Sequence, residues 1–203
     1  QPACWRRAAS VASVLSGELG EPGMRVAVAG CGTSLYVARA FAALREDGGH
    51  GETDAFPASE FPGARRYDRV VVISRSGTTT EVIQLLERLD ASYRTVVTAD
   101  AGTPAASLAE GTIELEFADE RSVVQTRFAT SALALFRAHL GEDLSRLAMA
   151  NAEHAHPLAS RRPATRSDSS ARGNRPQCTR RRPGLQTRRS EEHTSELQSL
   201  AYL

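Results

Sequence analysis

The sequence predicts an α/β protein, a doubly wound three-layer sandwich around a five-stranded parallel sheet. Two observations carry that expectation. Val-rich, nearly unbroken apolar runs recur at residues 25–29, 69–74 and 94–99, the pattern of parallel strands covered on both faces. Between them lie segments whose apolar residues fall at helical spacing, and such alternation of strand and helix builds a parallel sheet with helices on its faces.

In chain order, a first amphipathic helix is expected over residues 2–16, with Pro2 in its first turn and Gly17 near its stop. The first strand, 25–29, is followed by a helix over 34–45 carrying Leu35, Ala38, Phe41 and Ala42 on one face. A short strand is expected around Asp54, then the strand 69–74. The helix over 79–89 presents Val82, Ile83, Leu85, Leu86 and Leu89. The strand 94–99, a fifth strand over 112–117 and a helix over 122–139 complete the unit. Right-handed crossovers place every strand-to-helix loop at the carboxyl edge of the sheet, so chemistry is sought there.

Composition narrows the classes. The chain has 203 residues, 41% of them hydrophobic, enough for a real core. All 25 basic residues are arginine, which excludes a Walker A loop and lysine Schiff-base chemistry in this chain. No apolar run approaches a membrane span, so no membrane partner and a cytoplasmic location are expected. Cys4, Cys31 and Cys178 lack the number and spacing of a disulfide framework or zinc site, so reduced thiols, no metal and no cofactor are expected.

The net charge of +1 conceals two unlike parts. Through residue 160 there are 15 arginines and 20 acids; beyond it, 10 arginines and 4 acids. Residues 1–150 are expected to form the folded domain, and 151–160 a helix end or linker. Residues 161–188 hold nine arginines, three prolines and one large aliphatic, Leu185, a composition that favours disorder or an out-of-frame segment. No aromatics interleave the arginines to stack on bases, so no nucleic-acid partner is expected. Residues 189–203 contain Arg-Ser-Glu-Glu-His-Thr-Ser-Glu-Leu-Gln-Ser, which resembles a translated sequencing adapter, and residues 161–203 are expected not to be natural protein. With Gln1 rather than Met at its start, the chain is expected to be a piece of a longer parent.

Two loops look suited to a phosphate ester. Gly30-Cys31-Gly32-Thr33-Ser34 follows a strand and opens a helix, where free amides and the helix dipole favour an anion. Ser74-Arg75-Ser76-Gly77-Thr78-Thr79-Thr80 sits in the same context and offers five hydroxyls around one glycine. Plain helix capping by Ser and Thr is the alternative for either loop alone; two such loops in one sheet favour a ligand. A nucleotide-binding oxidoreductase is the rival, because Asp54 lies 24 residues after Gly30, near the spacing of a ribose-binding acid. Its third glycine position holds Leu35, and the Ser/Thr-rich loop has no role in it.

These residues carry a family resemblance. Gly30-Cys31-Gly32-Thr33-Ser34, Ala58-Ser59-Glu60-Phe61, Ser74-Arg75-Ser76-Gly77-Thr78-Thr79 and Glu120-Arg121-Ser122-Val123-Val124-Gln125-Thr126-Arg127 resemble, in order and approximate spacing, the sugar isomerase (SIS) domain of phosphosugar isomerases and glucosamine-6-phosphate synthase. Gln1-Pro2 is similar to the start of that family's first helix. The resemblance spans residues 1 to about 150 and corresponds to the first of two SIS subdomains. It implies a flavodoxin-like fold, a phosphorylated sugar or amino sugar as ligand, and a parent that is a homodimer or higher homo-oligomer. It also implies that Ser74, Ser76 and Thr79 hold the phosphate, that Thr33 and Ser34 contact sugar hydroxyls or phosphate, that Gln125 and Thr126 close the site, and that Cys31 lines it; Gly32, Arg75 and Gly77 belong to the same loops. Arg75 departs from the glutamine of the synthase branch, and Glu120-Arg121-Ser122-Val123 looks closer to the isomerase or deaminase branch.

Aldose–ketose isomerisation needs an acid/base between adjacent carbons and a group that opens the ring. In the family these groups lie mostly in the second subdomain, whose motifs this chain does not match, so no catalytic residue is assigned. The parent is expected to isomerise, deaminate or aminate a sugar phosphate; a non-catalytic phosphosugar sensor is the alternative. Glu81 and Glu120 read as acids favourable to helix dipoles, His139 as a cation at a helix end, and His50, His154 and His156 as non-catalytic.

Overall fold

In the computed structural model, residues 1–89, 93–120 and 126–144 are described, and all of them fall in one unit that extends from Gln1 to His154. Five strands form one parallel sheet: β1 (Val26–Gly30), β2 (Thr53–Pro57), β3 (Arg69–Ile73), β4 (Tyr93–Thr98) and β5 (Gly111–Glu114). Their order is β2-β1-β3-β4-β5, the flavodoxin-like order. The helices are α1 (Pro2–Ala12), α2 (Thr33–Asp47), α3 (Thr80–Arg88), α4 (Pro104–Ser107) and α5 (Arg127–His139). The expected α/β sandwich is therefore the observed one.

Strand side chains alternate between two cores. Val26 and Val28 of β1, Val71 and Ile73 of β3 and Val97 of β4 face α1, α2 and α5, where Phe41 and Phe136 stack with centroids 4.2 Å apart. Ala27, Ala29, Val70, Val72 and Val96 face α3, α4 and the single turn Ala58–Glu60. Both faces of the sheet are thus dry, as the unbroken Val runs require.

Several boundaries differ from expectation for local reasons. Helix α1 stops at Ala12 rather than residue 16, because its buried face of Trp5, Ala8 and Ala12 meets an exposed serine one turn later. The fifth strand ends at Glu114; the chain beyond it turns through Glu116–Ala118 after the Leu115 amide donates to the Thr98 carbonyl at 2.8 Å. Helix α4 was not expected at all: its four residues begin with Pro104 after Thr103, a start signal with too little sequence behind it for periodicity to show. Helix α5 is described from Arg127; residues 121–125, where its expected start falls, lie outside the described residues, as do residues 145–203 with the linker, arginine-rich and adapter-like segments.

His139 is also corrected. It is the last residue of α5, but burial, with Arg45 and His50 nearby, pushes its pKa down, so it is not the cation expected there. Arg137, whose Nε donates to Glu142 at 2.7 Å, supplies the positive charge in that last turn.

Candidate functional site

From β1 the chain moves outward to β2 by way of α2 on one face, then returns past β1 to β3 and continues by α3 on the other face. The loops after β1 and β3 consequently part in opposite directions at adjacent strands. A crevice at such a switch point is the general ligand site of open α/β sheets. Register places them level: Gly30 pairs with Ile73, so Cys31 and Ser74 leave the sheet side by side.

The first loop hugs its helix. A Cβ on Gly30 would lie 2.9 Å from the Ser34 Cβ, so only glycine lets α2 start this close to β1. Gly32 occupies the N-cap position of α2 and no side chain caps the helix; the Ser34 amide donates to the Cys31 carbonyl at 3.1 Å and the Leu35 amide to the Gly32 carbonyl at 3.1 Å, so the Thr33 amide is the first-turn donor open to a ligand. Thr33 is exposed and Ser34 half-buried. Cys31 is half-buried, and its thiol is pushed up chiefly by burial, with the Glu81 carboxylate adding to the rise and an Ala58 backbone hydrogen bond opposing it. A protonated thiol lining the crevice follows, rather than a thiolate nucleophile.

The second loop is locked from behind. Gly77 has φ +60°, and a Cβ there would meet Thr103 Oγ1 at 2.0 Å; the Gly77 carbonyl accepts from the Ala105 amide at 3.1 Å. The Arg75 carbonyl accepts from the Ala99 amide at 3.1 Å and the Thr98 hydroxyl at 3.2 Å. Ser74 is only 3% exposed, and its Oγ lies 3.3 Å from Thr79 Oγ1. Thr79 is the N-cap residue of α3 but does not cap it, so its hydroxyl stays with Ser74 and the helix's leading amides are left for something else. Ser76 Oγ accepts from the Thr78 amide at 3.3 Å and the Thr78 hydroxyl at 3.1 Å, which leaves its own proton to donate.

The remaining expected residues are placed as follows. Thr126 is the exposed N-cap residue of α5, and its hydroxyl accepts from Gln1 Nε2 at 3.1 Å; Gln1 Oε1 in turn accepts from Thr130 at 3.1 Å. Gln125 lies outside the described residues. Arg75 extends away to Asp119, 2.7 Å from Oδ1. Glu81 sits in the first turn of α3, and Glu120 Oε1 accepts the Arg127 amide at 2.6 Å, both as the dipole argument expects. Sequence reasoning missed Thr98, Thr103 and Asp119, whose roles come from contacts between distant segments that no local pattern encodes. Among the described residues no cluster of three metal-ligating side chains occurs.

The oxidoreductase rival loses its acid. Asp54 is the second residue of β2, three residues or about 10 Å short of the carboxyl edge. Its carboxylate accepts from the Tyr67 hydroxyl at 2.6 Å and from Arg65 at 3.3 Å. A separate cavity of about 240 Å³ lies beside the last turn of α3, between Leu85, Arg88 and Leu89 on one side and Phe61, Arg65, Arg66 and Tyr67 on the other. It is away from the carboxyl edge and shares no residue with the two loops.

Similar solved structures include a glucosamine-6-phosphate deaminase from Thermotoga maritima, with TM-score 0.56 and 20% identity over 72% of this chain and 49% of that one. The C-terminal domain of glucosamine-fructose-6-phosphate aminotransferase from Francisella tularensis superposes with TM-score 0.56 and 15% identity over 76% and 49% of the two chains. A tagatose-6-phosphate ketose/aldose isomerase from Escherichia coli gives TM-score 0.55 and 18% identity over 70% and 45%. This chain therefore has the SIS-domain fold and spans about half the length of these structures. No family model and no curated protein matches the sequence.

Proposed function

We propose that the crevice between the β1 and β3 loops binds a phosphorylated sugar or amino sugar. In this reading the phosphate lies on Ser74–Thr79 and the leading amides of α3, and the sugar extends toward Gly32, Thr33, Ser34 and Thr126. The observation that carries it is the pair of helices that start at a switch point without side-chain caps, beside hydroxyls that can donate outward. Neutral donors suit a dianion, because each hydrogen bond to a charged oxygen is stronger than one between neutral groups.

The longer protein, on this proposal, isomerises, deaminates or aminates that compound inside the cell as a homo-oligomer. This chain supplies the binding half, and the proton-transferring groups come from elsewhere in the parent. The names of the similar structures, all of sugar-phosphate enzymes, support this choice of ligand.

Calorimetry on the full chain tests it, with glucosamine-6-phosphate, fructose-6-phosphate and tagatose-6-phosphate against unphosphorylated glucosamine. Sugar phosphates should bind and glucosamine should not. Ser76→Ala should weaken sugar-phosphate binding by about 1–2 kcal/mol, roughly five- to thirtyfold. Equal binding of glucosamine, or an unchanged affinity in Ser76→Ala, refutes the phosphate site.

A further inference from the structure

Arg75 is held at both ends. Its carbonyl is fixed by Thr98 and Ala99 at the end of β4. Its guanidinium leaves the loop, and Nη1 donates to Asp119 Oδ1 at 2.7 Å and to the Glu120 carbonyl at 3.4 Å. The same two residues are gripped from the other side by the start of α5. The Arg127 amide donates to the Glu120 carboxylate at 2.6 Å, and Arg127 Nη1 donates to the Asp119 carbonyl at 3.1 Å.

A continuous chain of contacts thus runs from the Ser74–Thr79 loop through Arg75, Asp119 and Glu120 to Arg127, one residue beyond Thr126. The Arg75–Asp119 pair is 27% and 52% exposed, and pairs this open contribute little to stability. Its geometric effect is larger. A planar guanidinium that holds a carboxylate and a carbonyl together fixes direction as well as distance. A guanidinium already committed to a carboxylate is also not a spare cation for a phosphate.

We infer that Arg75 and Asp119 form a positioning strut that sets the N-terminus of α5 relative to the phosphate loop, and so selects for the sugar part of the ligand rather than for the phosphate. The inference rests on the proposed ligand. Although Arg75 belongs to the loop expected to bind the phosphosugar, its side chain acts through Asp119 and α5.

Asp119→Asn in the full chain separates the two roles, since it keeps the shape of the side chain and removes its charge. Calorimetry would use glucosamine-6-phosphate and inorganic phosphate, with circular dichroism and thermal melting to confirm a folded protein. The strut predicts roughly tenfold weaker glucosamine-6-phosphate binding and inorganic phosphate affinity within about twofold of the parent value. Arg75→Met should give the same split, and the double variant should be no worse than either single one. A direct phosphate role for Arg75 predicts the reverse: Asp119→Asn frees the cation and tightens phosphate, while Arg75→Met weakens both ligands alike. That result overturns the inference, as does unchanged sugar-phosphate affinity in Asp119→Asn. Failure of the parent chain to bind any sugar phosphate overturns the ligand reading and the strut with it.

Discussion

Replacing Gly77 by alanine should destabilise the domain by about 2–5 kcal/mol, from two separable causes. The backbone there has φ +60°, a conformation that costs an L-residue about 1–2 kcal/mol. The new Cβ would also fall 2.0 Å from Thr103 Oγ1, 2.5 Å from its Cβ and 2.9 Å from its Cγ2. Thr103 is buried, occupies the N-cap position of α4, and donates through its hydroxyl to the Asp100 carbonyl at 3.0 Å, so it has little room to yield. Overpacking of this kind typically costs about 1–3 kcal/mol. Gly141 provides the comparison, because it has φ +88° after the end of α5 and nothing within 4 Å of a Cβ. Gly141→Ala should therefore cost only the backbone part, about 1–2 kcal/mol. Urea denaturation of both variants gives the difference, and a Thr103→Gly background should reduce the added cost of Gly77→Ala to about 1–2 kcal/mol. If Gly77→Ala costs no more than Gly141→Ala, the close approach between the β3 and β4 loops is not what holds the candidate phosphate loop in place.

Two predictions concern pH. Glu110 is held down to about 2, first by its hydrogen bonds from the Arg94 side chain and also by the Arg94 amide at 2.8 Å. Since its folded value lies below its unfolded one, it stabilises the fold above about pH 4.5, and that contribution is lost as pH falls toward 2. The carboxylate side of the pair is 40% exposed, so solvent screening leaves about 1 kcal/mol of the nominal effect; Glu110→Gln should lose that much at pH 7 and flatten the acid limb of a stability profile. His139 is pushed down by burial, with Arg45 and His50 adding to the fall and a Gly20 backbone hydrogen bond and Glu18 opposing it. The unfolded chain then takes up the proton first, so stability should decline as pH drops below about 6.5, and His139→Gln should remove that slope in denaturation curves measured between pH 7 and 5.

The sheet was legible because its signal is local. Val26–Ala29 and Val70–Ile73 are buried on both faces, and that alone forces near-continuous apolar runs. The positions of the two loops were legible for the same reason, since each falls between a Val-rich strand and a segment of helical spacing. Arg45 shows where such reasoning stops. Helical spacing sets it on the same face of α2 as Ala38, Phe41 and Ala42, where it is fully buried and donates to the Glu21 and Met24 carbonyls and to Thr53 Oγ1. Those partners come from the chain before β1 and from β2, and nothing in the helical periodicity announces them. Asp119 is the same case at the site: an acid in a polar turn acquires a role only when Arg75, 44 residues earlier, reaches it.

The strut also bears on how the crevice could hold a dianion. Arg75 is the single cation in the two loops, and it is spent on Asp119. Binding would then rest on backbone amides, hydroxyls and the first turns of α2 and α3, which act at hydrogen-bond range rather than through long-range charge. Contacts of that kind, partly shielded from solvent, are screened far less by salt than exposed ion pairs are. Raising sodium chloride from about 50 to about 500 mM should accordingly weaken glucosamine-6-phosphate binding by no more than about threefold. A steep loss over that range would mean that a free arginine meets the phosphate. Arg75 would then have to release Asp119 when ligand binds, and the start of α5 would have to be placed by other contacts, of which the Gln1–Thr126 hydrogen bond is the first to test.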